Sequence, residues 1–168
     1  MLISQKMNAA INEQIGREFG ASHQYVAIAA HFDAENLSTL AKHFYRQAEE
    51  ERDHAMRFVR YLVDAGAKVA IPAVAAPKPE FSSAEDAVKL SVKWEKEVTK
   101  QIHALVELAM KESDHTTFNF LQWFVAEQLE EVSSMEKLLS IVQRSGESGL
   151  LHVDRYLASE GGEKGEES

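Results

Sequence analysis

Glycine and proline, the residues that interrupt helices, are confined to a few places in this chain of 168 residues. Between Gly20 and Gly146 the only glycine is Gly66, and all three prolines lie at positions 72–79. One irregular stretch, 66–82, therefore divides a chain that is otherwise free of strong helix breakers. No segment alternates in the manner of a strand, and helix-favouring residues are abundant outside this stretch, which predicts an all-α protein.

Inward positions recur every three or four residues in four segments, which is the spacing of one buried helix face. We refer to each such row as a seam. The seams are Met7, Ile11, Gln14, Glu18, Ala21, Tyr25, Ile28 and Phe32; then Leu37, Leu40, Phe44, Gln47, Glu51, His54, Phe58, Tyr61 and Ala65; then Val88, Ser91, Glu95, Val98, Ile102 and Leu105; and finally Leu121, Phe124, Gln128, Glu131, Met135, Leu138 and Val142. Four long amphipathic helices predict a four-helix bundle.

The expected helix ends carry residues that cap helices. Gly66 stands where a C-terminal glycine cap would lie. Ser82 with Glu85, or Ser83 with Asp86, forms a capping box that opens the third helix. Capping chemistry and the seams therefore predict the same boundaries.

The connections differ in length. Short turns near 33–37 and 112–116 make helices one and two antiparallel, and helices three and four likewise. The 17 residues of 66–82 can reach about 55 Å when extended, whereas a helix of about 28 residues is about 42 Å long. This long crossover can span the whole bundle, which permits the second and third helices to run parallel without requiring it.

A short amphipathic piece follows the fourth seam, with an apolar row that begins at Leu150 and ends at Leu157. Because the four seams already close a core, this fifth helix has no evident partner within the chain, and we expect it to pack against other subunits. Residues 160–168 contain no apolar side chain. We expect them to form an acidic disordered tail, which leaves 1–159 as one folded domain.

The charge balance limits the partners. Lysine and arginine number 18 against 27 acidic residues, a net charge of −9, which repels phosphate backbones and anionic membrane surfaces and attracts cations. We therefore expect no nucleic acid and no membrane as partner. Without cysteine, any metal must be held by histidine and carboxylate. The N-terminus has no basic segment before an apolar core, and no apolar stretch approaches the roughly 20 residues that span a bilayer, so we expect a cytoplasmic location.

Each seam is interrupted near its midpoint by a carboxylate: Glu18, Glu51, Glu95 or Glu131. His54 follows Glu51 by three residues and so shares its helix face. Like charges in a core of low dielectric constant repel and are poorly solvated, so this layer requires shared protons or bound cations. Oxygen and imidazole ligands without sulfur suit first-row divalent metals such as Fe(II), Mn(II) or Zn(II). A solvated face explains any single glutamate, but four interrupted seams favour burial.

Most of this arrangement matches the template of di-iron carboxylate bundles, in which two helices each give a glutamate and two give Glu-x-x-His. Glu18 and Glu95 supply the single glutamates, and residues 51–54 supply one Glu-x-x-His. The fourth helix departs from the template, because residues 127–131 read EQLEE and contain no histidine.

With these residues the chain resembles the bacterial non-haem ferritins. The segments NEQIGREF, AEEERDHAM and FNFLQWFVAEQLEE are similar to signature segments of that family, and the likeness runs from about Asn12 to Tyr156. The resemblance implies a ferroxidase that oxidises Fe(II) to Fe(III) with dioxygen or hydrogen peroxide at a di-iron centre within one subunit. It also implies iron storage as a mineral inside a homo-oligomeric shell of 24 subunits.

The resemblance also implies the site residues. The ligand sets are Glu18, Glu51 and His54 for the first iron; Glu51, Glu95 and Glu131 for the second; and Glu50, Glu127 and Glu130 beside Glu131 for a third, weaker site. Glu51 would bridge the first two irons, and Gln128 would line the centre. Tyr25, seven residues after Glu18 on the same seam, is a candidate electron or hydrogen-bond donor near the metals, with a purely core role as the alternative.

Haem is not expected. Bacterioferritins have a second Glu-x-x-His in the fourth helix and a haem-ligating methionine directly after the bridging glutamate. At the corresponding positions this chain has Glu130 and Arg52, so it offers no thioether there.

Two other functions stay open at the level of sequence. A different di-iron enzyme on the same bundle, such as a peroxidase or a small oxygenase, would require an apolar substrate pocket beside the metals. A metal-free helical interaction module would require the four carboxylates to face solvent.

Overall fold

A computed structural model describes residues 1–163 of the chain, and within that range it contains helices and no strand. The helices are α1 (Gln5–Ala34), α2 (Ser38–Asp64), α3 (Ala84–Lys111), α4 (His115–Ser145) and α5 (Leu150–Glu163), with a short 3₁₀ helix, Glu147–Gly149, before the last. The all-α prediction is confirmed. None of these helices is long and apolar enough to cross a membrane.

The seams form the interior of a four-helix bundle, as predicted. Every seam residue is buried except Tyr61, which is partly exposed. The apolar interior is divided into two clusters, one containing Phe32, Phe44 and Val88 and the other containing Phe58 and Leu105. The polar seam residues lie between the two clusters, so the carboxylate layer is closed above and below by packed apolar side chains.

The predicted helix ends are confirmed where backbone geometry tests them. Gly66 follows the end of α2 with φ +67°, a conformation that glycine adopts without strain. Ser83 is the N-cap of α3, and its Oγ accepts a hydrogen bond of 3.0 Å from the backbone N–H of Asp86. The carboxylate of Asp86 in turn accepts a hydrogen bond of 3.1 Å from the backbone N–H of Ser82, one residue before the N-cap.

The crossover between α2 and α3 lies along α1. Asn12 holds its first part, donating to the Lys68 carbonyl and accepting from the Ala70 N–H. Gln24, more than three turns along α1, makes the same pair of bonds to the backbone of Lys78. The crossover therefore returns along the bundle, and α3 runs parallel to α2, which the length of the connection permitted.

α5 packs against its own bundle, so the expectation that it lacks a partner within the chain is wrong. Leu150 and Val153 are buried in the cluster that contains Phe44. The physical reason lies in α2, whose N-cap residue, Leu37, makes no side-chain capping bond. Two unpaired N–H groups at that end are satisfied by one oxygen of Asp154 in α5, which accepts from Thr39 N and Leu40 N, both at 2.9 Å.

The expected boundary at residue 159 falls inside α5, which continues to Glu163. In this part of the helix, Tyr156 donates a hydrogen bond of 2.7 Å to Glu160, four residues later. The part of the expected tail at 164–168 lies outside the described residues.

Removal of the cap that α5 supplies is expected to destabilise the chain. Asp154→Ala should lower the free energy of unfolding by about 1–2 kcal/mol, the range of helix N-caps, and the thermal midpoint by about 2–8 °C. Asp154→Asn is the matched control, because its amide oxygen still accepts and should keep nearly the wild-type midpoint. Equal midpoints for the alanine variant and the wild type in thermal unfolding would contradict this role.

Candidate metal centre

Four carboxylates from four different helices meet at the middle of the bundle. Glu18 of α1, Glu51 of α2, Glu95 of α3 and Glu131 of α4 are each at most 5% exposed. His54 lies beside them and is 3% exposed. Glutamate is rarely buried to this extent unless it is paired or binds a cation. The solvent-facing arrangement that a metal-free interaction module requires is therefore absent from this layer.

The ligand atoms form two groups that share one residue. Glu18, Glu51 and His54 each bring one atom within 4.8 Å of the others, and so do Glu51, Glu95 and Glu131. Because Glu51 has two carboxylate oxygens, it can face both groups at once. The grouping is the one that the sequence resemblance implies for the first and second irons.

Several of these ligand atoms are buried and lack a hydrogen-bond partner: Glu18 Oε2, both carboxylate oxygens of Glu51, and His54 Nδ1. His54 Nδ1 lies 3.3 Å from Glu51 Oε2, but the geometry is not that of a hydrogen bond, so both atoms stay unpaired. An unpaired buried polar atom costs about 1–3 kcal/mol. The same atoms are the oxygen and imidazole donors that iron accepts, so the residues fit the metal.

Neighbouring polar side chains donate hydrogen bonds to oxygens of two of these carboxylates, Glu18 and Glu95. Gln14 Nε2 donates to Glu18 Oε1 at 2.8 Å and leaves the other oxygen free. The hydroxyl of Tyr25 donates to Glu95 Oε1, and Gln128 Nε2 donates to Glu95 Oε2 at 3.2 Å. Such partners orient ligands and tune their basicity. Tyr25 and Gln128 thus both act on Glu95.

Burial changes the protonation of the layer. Loss of solvation, and after it the neighbouring carboxylates, raises the pKa values of Glu18 and Glu51 well above the ordinary value. Burial and the charge of Glu95 raise the pKa of Glu131 to about 8. In the absence of a cation the layer therefore holds protons near neutral pH, and a metal ion that binds must displace them.

This proton affinity predicts how stability depends on pH. A carboxyl whose pKa is raised on folding stabilises the folded state below the unfolded value of 4.5, and the contribution is lost as pH rises through the folded value, about 8 for Glu131. Calorimetry of metal-free protein should show the thermal midpoint falling over about pH 5–8. Glu131→Gln should flatten this fall, whereas Glu107→Gln, at an exposed position, should not. A variant slope equal to that of the wild type would contradict the assignment.

A third group of ligand atoms differs from the implied third iron site. It consists of His54, Glu127 and Glu131, with His54 Nε2 4.0 Å from Glu127 Oε1. Glu50 and Glu130 are not part of it. Successive residues are about 100° apart around a helix, so Glu130 is exposed although Glu131 is buried. The third site stays a prediction, with His54 as an additional residue beside it.

Glu50 and Glu130 line a cleft of about 830 Å³ bounded by α2, α4 and α5, which also reaches Glu127 and Glu131. We call it the α2/α4 cleft. Its lining near the layer is charged rather than apolar.

Sequence reasoning did not assign a function to two sets of residues around the layer. Gln14 stands one turn before Glu18, and Gln47 one turn before Glu51. The sequence did carry a signal for these two residues, namely a second polar side chain one turn before the carboxylate of the same seam. The second is Trp123, whose ring lies 5.4 Å from that of His54. Its other neighbour is the guanidinium of Arg57, 3.8 Å from the ring centre.

Comparison with known proteins agrees with this geometry. Residues 8–145 match the family model described as ferritin-like domain. The chain is 45% identical to ferritin BfrB of Mycolicibacterium smegmatis, over 94% of this chain and 87% of the relative. It is 38% identical to a bacterial non-heme ferritin of Staphylococcus aureus, over 87% and 88% respectively.

Among solved structures, an open pore ferritin from the archaeon Archaeoglobus fulgidus superimposes with a TM-score of 0.90 at 38% identity, covering 93% of this chain and 96% of that one. Both the sequence and the fold therefore lead to the same assignment. The chain belongs to the ferritin family.

Proposed function

We propose that this protein stores iron and is a ferroxidase, which oxidises Fe(II) to Fe(III) at a di-iron centre in the carboxylate layer. The observation that carries the proposal is the position of Glu51, which is buried, unpaired and shared by two groups of ligand atoms. Relatives named ferritin and bacterial non-heme ferritin support the storage role. A small-molecule oxygenase or peroxidase is less well supported, because the part of the adjoining cleft next to the carboxylate layer is lined by glutamates rather than by apolar side chains.

Iron is the substrate and supplies the redox chemistry, each Fe(II) giving up one electron to dioxygen or hydrogen peroxide. The residues of the chain set the conditions for that step. Anionic oxygen ligands favour the harder, more highly charged Fe(III), which adds to the driving force. The apolar clusters on both sides of the layer limit the access of water. Protons displaced from Glu18 and Glu51 leave when the cation binds.

Two residues donate hydrogen bonds to Glu95, one to each carboxylate oxygen. Tyr25 is fully buried and donates its hydroxyl to one carboxylate oxygen, while Gln128 donates to the other. Both bonds fix the orientation of Glu95 towards the second group. We assign Tyr25 this positioning role, and a role as electron donor remains a proposal that rests on its proximity.

We propose that the protein functions without haem. Arg52, directly after Glu51, is exposed and has no thioether that could ligate haem iron. Purified protein mixed with excess haem should show no stoichiometric Soret absorption after gel filtration. One haem retained for every two chains would contradict this part of the proposal.

The proposed storage role requires a shell of subunits around a cavity. Twenty-four subunits of 18.8 kDa have a mass of about 450 kDa, which native mass spectrometry distinguishes from a dimer. Metal-free protein loaded with Fe(II) in air should form Fe(III) that stays in solution and elutes with this species. A monomer or dimer that oxidises Fe(II) but precipitates it would contradict storage and favour a different di-iron enzyme.

A further inference from the structure

The α2/α4 cleft has two halves of opposite charge. Near the carboxylate layer its walls are the glutamates at 50, 127, 130 and 131. Towards α5 the walls carry Lys42 and Arg46 of α2 and Lys137 of α4. These positions lie one to three turns from the glutamates on their own helices. Because α2 and α4 are antiparallel in the bundle, the three basic residues come together at the same end.

The basic half is not neutralised by its surroundings. Among residues 1–160, whose side chains the structure describes, Lys42 and Lys137 make no ion pair, and the only ion pair of Arg46 is a long one of 3.8 Å with Glu50, four residues away on the same helix. Glu160 of α5 lines the same half and accepts a hydrogen bond from Tyr156, a neutral donor that leaves its negative charge in place. Three basic side chains against this one carboxylate give the α5 half a local excess of positive charge in a chain of net charge −9.

Two buried polar groups line the same cleft without partners. Arg46 can only donate, so its contact with His43 Nδ1 at 3.5 Å makes that nitrogen the acceptor and leaves the proton on Nε2. His43 Nε2 is buried and has no acceptor. Gln47 is 5% exposed, and its Oε1 is buried and has no donor. The walls of the cleft thus hold an unused N–H donor and an unused oxygen acceptor one turn apart, both just below the exposed surface.

These observations define the chemistry of a ligand. Three cations and an N–H donor exclude a metal ion from this half and fit an oxyanion. A ligand O–H is needed as well, to donate to Gln47 Oε1. Hydrogen phosphate has both features, whereas sulfate at neutral pH has no proton to donate. We propose that the α5 half of the α2/α4 cleft binds a phosphate-class oxyanion through Lys42, Arg46, Lys137 and His43, with Gln47 Oε1 accepting a hydrogen bond from the O–H of the ligand.

The position of the site suggests a use that rests on the proposed function. An oxyanion held at the basic half would lie in the same cleft as the glutamates next to the di-iron centre. Fe(III) that leaves the centre through this cleft would meet its counter-ion there. The binding step itself requires no iron, so it can be tested separately.

The test uses metal-free full-length protein and inorganic phosphate in calorimetric titration. Wild type should bind about one phosphate per chain, and the double variant Lys42→Gln, Arg46→Gln should bind at least about 10-fold more weakly, the loss expected for charge-assisted hydrogen bonds. Arg17→Gln, Lys93→Gln is the matched control, since both residues are exposed on α1 and α3 and the charge change is the same. Sulfate should bind more weakly than phosphate to wild type.

Equal phosphate affinity in the wild type and the cleft variant, or an equal loss in the control variant, would overturn the proposal. Sulfate that binds as tightly as phosphate would overturn the assignment of Gln47. Glu51→Gln separates this inference from the proposed function: it should keep phosphate binding while it loses rapid Fe(II) oxidation. Phosphate binding without any effect of Glu51→Gln on oxidation would count against the ferroxidase and not against the oxyanion site.

Discussion

Replacing Glu51 by glutamine is expected to slow rapid Fe(II) oxidation by at least about 100-fold. Glu51 is the one residue that belongs to both groups of ligand atoms, so its loss weakens both metal positions together. The amide has one oxygen, carries no charge and cannot bridge two cations as a carboxylate does. Stopped-flow absorbance of Fe(III) formation, at two Fe(II) per chain, measures the effect.

The matched control for this prediction is Glu49→Gln. Glu49 is on the same helix, is exposed, and loses the same charge, so its oxidation rate should stay within about twofold of wild type. Native mass spectrometry should find the same assembly for both variants. Glu51→Gln protein with the wild-type initial rate would remove the basis for the proposed di-iron centre.

Glu18→Gln is expected to leave the metal-free protein as stable as wild type, or more stable, while it loses most of the stabilisation that a metal gives. Burial raises the pKa of Glu18 well above its ordinary value, so the metal-free chain already holds this carboxyl protonated, and glutamine resembles that form. Gln14 can still donate to the remaining oxygen. Replacing a poorly solvated buried charge is commonly neutral or stabilising.

Zn(II), which undergoes no redox reaction, gives the second half of this test. At 100 times its dissociation constant it should stabilise wild type by about 2.7 kcal/mol, a rise of about 5–10 °C in thermal midpoint. The rise should be much smaller for Glu18→Gln and unchanged for Glu13→Gln, an exposed residue on the same helix. A large loss of midpoint in metal-free Glu18→Gln would instead make Glu18 a structural hydrogen-bond partner.

The bundle and its polar layer could be predicted because both follow from local periodicity. A carboxylate such as Glu95, in a row of otherwise inward positions, is evident from spacing alone. The capping positions at Gly66 and Ser83 could be predicted for the same reason, since capping chemistry acts within a few residues. The direction of α3 needed the structure, because the length of the crossover permits more than one path.

The errors concern contacts between residues far apart in sequence. The seam pattern identified α5 as amphipathic but gave no sign that the N-terminus of α2 lacks its own cap. Asp154 and Thr39 are 115 residues apart, and no local signal connects them. The third group of ligand atoms and the cleft depend likewise on how α2 and α4 face each other, which periodicity within either helix does not determine.

We propose that one buried glutamate, Glu51, joins two iron positions. Crystals of metal-free protein soaked anaerobically in Fe(II), with anomalous diffraction recorded at the iron absorption edge, test it most directly. The predicted result is two peaks within the carboxylate layer, one among Glu18, Glu51 and His54 and one among Glu51, Glu95 and Glu131, with Glu51 contacting both. Iron peaks confined to the α2/α4 cleft or the outer surface, with none in the layer, would contradict the account.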